Sequence, residues 1–515
     1  MKKKKIVTIG LAVLMVCSSV SLIGCGGKSK KSGGEKVIEI AYWNSGLGAK
    51  WLEAEIAAFE AKYPEYEVKY TATASETAVV AGFRQEDTDT TDLYMALKQY
   101  DTDYLEPLDD VLDSKAEGDS KTLREKIDPS YLKLEETADG KVNQLTYGGG
   151  ALGFVYNKEQ FQKAGITTLP RTTDELAIAC DQLLEEDITP ICHFAGGGYW
   201  RFMAEAWFMQ YEGLDYYLNH FYACKDENGN SPSKEVFTKE DGRYAVVKAC
   251  EKIITPDSVL LGSNTNDHVT AQTMFLQGEA AIMINGAWLS NEMSSAGDTD
   301  NFAVMKTPVI STIIDKLTSV KKESDLRKLI TAIDAVTDGE KDISDYKDGE
   351  NYNVDGLSVT AADWEYVSNA RNTTPGNFSG EDMYIPNYSD AKEGAKKFIA
   401  FLYSDEGYRI YTEQTHMTLP LNLCEGEIDS SKWNSFEKSF LDLQNKTQQT
   451  ATEYIMSKHK IFAEGGAASF ANYSFYDKLC SNNVSDRMNS SQIWDEIIKK
   501  VDGNYENNWI ANISE

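Results

Sequence analysis

Histidine is scarce in this chain, with five in 515 residues: His193, His220, His268, His416 and His459. None belongs to an H-E-x-x-H pair, and no G-x-S-x-G elbow or nucleotide-binding glycine fingerprint occurs. Gly27-Lys28-Ser29 imitates the end of a phosphate loop, but no strand precedes it and the upstream glycine spacing is wrong. The eight cysteines are widely spaced and include no C-x-x-C, which argues against a structural zinc site. Basic residues are in the minority, 51 against 81 acidic ones, for a net charge of −30. A body this acidic repels phosphate backbones, so nucleic acid is a poor partner. Carboxylates are too many to single out a glycosidase pair, which needs two at a defined separation. These absences leave no positive sign of catalysis, and neither cofactor nor metal is expected.

Long apolar runs are also missing, with one exception. Lys2 to Lys5 precede an apolar stretch from Ile6 to Ile23. A basic start followed by an apolar core too short for a comfortable membrane span describes a secretory leader. The stretch closes on Leu22-Ile23-Gly24-Cys25. This resembles the lipobox of bacterial lipoproteins, in which the cysteine thiol is acylated and becomes the new N-terminus. The expectation is a leader over 1–24 and a mature chain held by lipid at Cys25, outside the cytoplasm. Residues 25–36, rich in Gly, Ser and Lys, read as a flexible tether. About 490 residues remain, room for two or three domains.

Val37 to Trp43 reads as a first strand. Leu52, Ile56 and Phe59 share one face of a helix from about Lys50 to Ala61 that Pro64 stops, and Glu67 to Tyr70 makes the next strand. This β-α-β opening points to an α/β fold. Further on, Thr172 with Glu175 predicts a capping box, and Ala280 to Asn285 a short buried strand. Asp390 and Glu393 are expected to cap a helix bearing Ala395, Phe398, Ile399 and Leu402 on one stripe.

Aromatics stand next to Gly, Asn and other polar residues in Trp43-Asn44-Ser45-Gly46, Gly198-Tyr199-Trp200-Arg201 and Asn285-Gly286-Ala287-Trp288. A sugar ring offers a flat C–H face and a rim of hydroxyls. Trp and Tyr faces cover the first; Asn, Asp and Arg bond the second. Open α/β sheets bind ligands beyond the carboxyl ends of their strands, and two of these three segments follow predicted strands directly. For any single aromatic, core packing is the competing reading.

Met274 to Trp288, with Gly278, Ala280, Ala281, Met283, Gly286 and Trp288 in place, resembles a signature of the extracellular solute-binding proteins of bacterial ABC importers, in the cluster that includes the maltose and other sugar binders. Gly153 to Lys158 with Phe161, Ala164-Gly165-Ile166, Pro170 and Thr172 to Leu176 extend the resemblance, as do Ala395 to Ile399, Ser404 to Gly407 and Phe59-x-x-x-Tyr63-Pro64. It implies a two-lobed periplasmic-binding-protein-like α/β fold of type II, with a ligand cleft between lobes joined by hinge segments. The first lobe is expected over 37–148 and 381–418 and the second over 149–308 and 419–515. Residues 309–380, longer than the family's pattern, are left unplaced. By the resemblance, Trp288 would stack on a sugar, with Tyr199 and Trp200 beside it. Trp43, Asn44 and, through Thr91-Asp92-Leu93-Tyr94, Asp92 would reach it from the first lobe. The implied partners are a small solute, an oligosaccharide by preference, and the permease subunits of the importer, with the protein a lipid-anchored monomer. A non-sugar solute such as a peptide or polyamine is the alternative, and a secreted glycoside hydrolase a weaker one.

Overall fold

The computed structural model describes residues 34–504, apart from 45–46, 100, 138, 232, 294–295, 378–380, 423, 425, 427 and 453–474. The leader and Cys25 lie outside the described residues.

The chain opens with β1 (Val37–Trp43), which turns Ile38, Ile40 and Tyr42 inward by strict alternation. The helix Lys50–Lys62 lays Trp51, Leu52, Ile56 and Phe59 on the sheet. It returns the chain to β2 (Glu67–Thr73), parallel to β1. β3 (Leu93–Leu97) pairs parallel on the other side of β1. β4 (Leu145–Thr146) closes the far edge of this first sheet.

Residues 147–149 carry the chain into a second sheet. Its centre is β5 (Gly150–Asn157). β6 (Ile191–Cys192), β7 (Ile282–Gly286) and β8 (Phe302–Met305) follow in sequence, with β7 and β8 antiparallel to β5 and β6 parallel to β7. The helix Thr173–Glu185 begins at Thr172, whose hydroxyl accepts from the Glu175 N–H at 3.2 Å. The expected capping box is only half formed. The Glu175 carboxylate turns instead to the Arg171 N–H and guanidinium.

Residues 309–377 pack on the second sheet's helices. The helix Glu323–Thr337 buries Leu326, Leu329, Ile330 and Ile333. A three-stranded antiparallel sheet follows: β9 (Lys347–Asp348), β10 (Asn351–Val354) and β11 (Leu357–Thr360). The helix Ala361–Arg371 then lies against the helix Trp200–Glu212, where the Tyr366 hydroxyl donates to the Tyr211 carbonyl at 2.5 Å. Asp363 ties the region together by accepting from the backbone N–H groups of Thr318 and Ser319. β12 (Thr373–Asn377) joins the second sheet beside β5.

β13 (Glu381–Tyr384) re-enters the first sheet between β3 and β4, giving the order β2-β1-β3-β13-β4. The helix Lys392–Leu402 buries Ala395, Phe398, Ile399 and Leu402 as its stripe predicts. Its N-cap is Ala391, without a side-chain cap, so the expected capping by Asp390 does not occur. After the helix Asp405–Thr415 the chain still touches the first lobe: Asp128 N–H donates to the Pro420 carbonyl and Asn422 N–H to that of Lys126. It then reaches the helix Ser435–Asn445, which packs on β8, and β14 (Gln449–Thr452), parallel to β12.

All six described cysteines are free thiols, five of them buried. Burial raises their pKa, to about 12 for Cys180, Cys192 and Cys424 and about 11 for Cys480.

Candidate functional site

The carboxyl ends of β1 and β3 in one lobe, and of β7 in the other, point to the region where the chain crosses between sheets. Tyr147 fixes the first crossing to the first lobe. Its hydroxyl lies 3.2 Å from the Met95 carbonyl and 3.4 Å from that of Trp43. Gly148 is required there, because a Cβ would stand 2.1 Å from the Glu381 carboxylate. Another crossing starts at His416, a left-handed residue with φ +58°. Asn291 donates to the Thr415 carbonyl at 2.7 Å, and His416 Nδ1 lies 2.9 Å from Glu437 Oε1.

On the second lobe, β7 ends at Gly286, and Trp288 folds back so that its ring would lie 2.2 Å from a Cβ at that position. Only glycine permits this approach. The half-buried Trp288 meets Tyr199 edge-on, with centroids 5.9 Å apart and planes at 84°. Burial pushes the Tyr199 hydroxyl up to about 12, with the Glu292 charge adding to it. Tyr199 is presented by Gly196, Gly197 and Gly198, all at positive φ (77°, 79° and 55°). A Cβ on Gly197 would fall 2.3 Å from the Tyr476 ring. Asp477 accepts from the Gly196 N–H at 3.2 Å. Behind the loop, His193 Nε2 lies 2.8 Å from Asn264 Oδ1. Gln272 holds Glu292 at 3.0 Å beside this wall.

On the first lobe, the half-buried Trp43 donates its indole N–H to the Ala74 carbonyl at 3.3 Å. Asn44 N–H donates to the Thr73 carbonyl, while its buried Oδ1 has no hydrogen-bond partner among the described residues. Sequence reasoning missed Lys98 and Gln99, which follow β3 directly. Lys98 is ion-paired to Glu135 and lies 3.9 Å from Asp382. Burial, aided by the Glu135 charge and opposed by Lys98, holds the Asp382 carboxyl well above the usual range. The Gln144 side chain brackets the Gln99 backbone, its Oε1 accepting from the Gln99 N–H and its Nε2 donating to the Gln99 carbonyl, both at 2.7 Å. The signal for these residues was a polar pair immediately after five apolar strand residues.

Two expectations are corrected. Trp200 is 1% exposed and belongs to the core. Its ring stacks on Tyr476 and touches Phe154 and Trp207. It is the first residue of the helix Trp200–Glu212 and turns inward with Met203 and Trp207. Asp92 precedes β3 and so sits at the amino end of the parallel strands, away from the crossing region. Its carboxylate accepts from the Glu39 N–H at 3.0 Å and the Ser389 hydroxyl at 2.6 Å, locking β1, β3 and the segment after β13. The structure therefore brings Trp288 and Tyr199 together beyond the carboxyl end of β7 and places Trp43 and Asn44 at the carboxyl end of β1. Among the described residues no group of three or more His, Cys, Asp or Glu is placed to hold a metal ion.

Several solved structures share this architecture. A secreted solute-binding lipoprotein from Streptomyces coelicolor matches with a TM-score of 0.58 at 13% identity, covering 91% of this chain and 99% of that one. The apo form of RafE from Streptococcus pneumoniae matches at 0.56 and 12%, covering 92% and 99%. Maltose-bound MalE3 of T. maritima matches at 0.53 and 17%, covering 91% and 99%. At these identities the likeness is one of fold: two lobes with a cleft between. By sequence, a binding protein of Brucella abortus (strain 2308) is 25% identical over 203 residues. These are 39% of this chain and 44% of that relative, so the chain spans under half the length of the curated relatives it matches. The model of the family described as bacterial extracellular solute-binding protein matches residues 44–409, most of the chain. With that match on a two-lobed fold, the chain belongs to the bacterial extracellular solute-binding proteins.

Proposed function

We propose that this protein captures a sugar or oligosaccharide outside the cytoplasm and delivers it to the permease of an ABC importer, tethered to the membrane by lipid at Cys25. The observation that carries the reading is the Trp288–Tyr199 pair, an aromatic platform at a strand's carboxyl end, and in this reading the polar Trp43–Asn44 and Lys98–Gln99 ends of β1 and β3 supply the other side of the cleft. Rings cover the C–H face of a pyranose, and amides and charged groups bond its hydroxyls. Neighbours in fold space support it: one is a chitin oligosaccharide binding protein, one holds raffinose and one holds maltose.

A solute touching both walls favours the closed arrangement of the lobes in proportion to its extra contacts there. Hinge closure of this kind is the known behaviour of periplasmic binding proteins. The crossing at 147–149 and the turn at His416 are the places where the backbone would absorb it. Two acyl chains at Cys25 would hold the receptor firmly, where one holds marginally. Tethering raises its effective concentration at the permease.

A thermal-shift screen tests the solute class. Mono- and oligosaccharides, amino acids, peptides and polyamines are offered to the purified protein. A ligand present at a hundred times its Kd adds about 2.7 kcal/mol of stability. A stabilising sugar recovered unhydrolysed supports the reading. Stabilisation by a peptide or polyamine with silence across sugars replaces it, and sugar turnover points to a hydrolase.

A further inference from the structure

Tyr199 stands on backbone with little local support. It follows Gly196, Gly197 and Gly198, at φ 77°, 79° and 55°. Glycine has the most conformational freedom to lose, so three in a row need bonds from elsewhere to keep one shape. Tyr199 is the N-cap residue of the helix Trp200–Glu212 and makes no side-chain capping bond. Its ring meets Phe194 edge-on at 5.0 Å and Trp288 at 5.9 Å. Edge-on pairs are favourable over centroid separations of about 4.5–7 Å, so these contacts alone leave the ring room to shift.

Support comes from residues 281 positions further along the chain. A helical turn, Tyr476–Leu479, packs against the glycine loop. Asp477 Oδ2 accepts from the Gly196 N–H at 3.2 Å, and the Tyr476 ring fills the space that a Cβ on Gly197 would need. The turn is itself tied down on other sides. Asn264 Nδ2 donates to the Asp477 carbonyl at 3.4 Å, Lys478 pairs with Glu496 at 2.5 Å, and Tyr476 stacks on Trp200.

Asp477 Oδ1 lies 3.8 Å from His193 Nε2. That nitrogen is 2.8 Å from Asn264 Oδ1, which the Cys480 thiol also approaches at 3.5 Å. His193 and Cys480 are each 3% exposed, so they are sealed from any solute and serve to hold the turn. Burial raises the Asp477 carboxyl above its usual range, while His193 and the N–H groups of Gly196 and Gly197 draw it back. We propose that Asp477 is a positioning residue, which by holding the Gly196 N–H sets the Tyr199 ring against Trp288. Its bearing on solute capture rests on the function proposed above; its hold on the ring does not.

The nine tryptophans allow a test without any ligand. The protein is made with fluorinated tryptophan, and Trp288→Phe and Trp200→Phe assign two fluorine NMR lines. Asp477→Ala removes the acceptor, and Asp477→Glu keeps the charge but displaces it by one methylene. Both are expected to shift the Trp288 line more than any other except that of Trp200. Asp477→Asn, whose amide oxygen still accepts from Gly196, should leave the Trp288 line at its parental position. So should Lys478→Ala, which loosens the same turn away from the loop. A single cooperative thermal transition verifies that each variant is folded, and Asp477→Glu carries the test if Asp477→Ala is not. A Trp288 line unmoved by Asp477→Ala and Asp477→Glu overturns the proposal. Equal movement in Lys478→Ala overturns it in favour of general support by the turn. Equal movement in Asp477→Asn overturns it in favour of charge beside His193. No solute enters the measurement, so silence across sugars in the thermal-shift screen would unseat the solute class and leave this result standing.

Discussion

Where the carboxyl end of β7 in the second lobe carries rings, Trp288 laid over Gly286 and Tyr199 set edge-on against it, the carboxyl ends of β1 and β3 in the first lobe carry amides and charge: Asn44, Gln99 and Lys98. The ring wall depends on backbone that only glycine can adopt or approach. The polar side depends on a buried lysine ion-paired to Glu135 with the Asp382 carboxyl close by. Shape is fixed on one side by close packing and on the other by electrostatics. Damage to each should therefore have a different signature: lost fit on the ring side, altered pH response on the polar side.

The largest effect is expected from Lys98→Met. It strands Glu135 and Asp382, both almost fully buried, without a cation. Breaking a buried pair in this way costs about 3–5 kcal/mol, readable by denaturant unfolding. Retained stability would mean that the polar wall is not held by charge. Next is Gly197→Ala, which combines φ +79° with a contact 2.3 Å from Tyr476. A loss of about 2–4 kcal/mol in stability is expected, with weakened ligand binding as Tyr199 is displaced. Third, Trp288→Ala should weaken binding of the ligand found in the screen by about 1–3 kcal/mol, using aromatic stacking on a flat ring as the scale, and calorimetry would read it. Unchanged affinity would remove the ring wall from the site.

Asp382→Asn sharpens the electrostatic side. A carboxyl raised by burial keeps its proton in the folded protein at pH values where the unfolded chain, near pH 4, has released it. Over that window the folded state binds more protons, so stability falls as pH rises. The variant removes this dependence while leaving Lys98 and Glu135 matched. It should melt higher than the parent at neutral pH, by the equivalent of about 1–2 kcal/mol, with the two curves meeting below about pH 4. The smallest effect on binding is expected from Asp92→Asn. It weakens the bonds to Glu39 and Ser389 and lowers stability by about 1 kcal/mol, but leaves affinity unchanged.

Strand alternation, the helix after β1 and the Gly286–Trp288 segment were legible in the sequence because each is set by neighbours a few residues away. Trp200 was not. It shares its glycine-rich surroundings with Tyr199, and one residue of helical phase decides which ring turns inward. The apolar spacing of Trp200, Met203 and Trp207 was the available clue, at i, i+3 and i+7. Asp92 was misplaced because adjacency to a strand says nothing about which end of the sheet is meant until the pairing is known to be parallel. Lys98 was overlooked because its partners, Glu135 and Asp382, come from distant parts of the chain. The placing of 309–377 likewise rests on long-range packing, such as Tyr366 on Tyr211 and Asp363 on the backbone of Thr318 and Ser319.

The six free thiols bear on how such a chain survives export. Outside the cytoplasm, unpaired cysteines face oxidants and one another, and the thiolate is the reactive form. Here burial keeps each thiol protonated far above physiological pH, so each is a slow nucleophile once folded. The hazard is confined to the interval between translocation and folding. A chain that closes its core quickly would then need no pairing catalyst, and its maturation would be limited by folding speed rather than by redox supply.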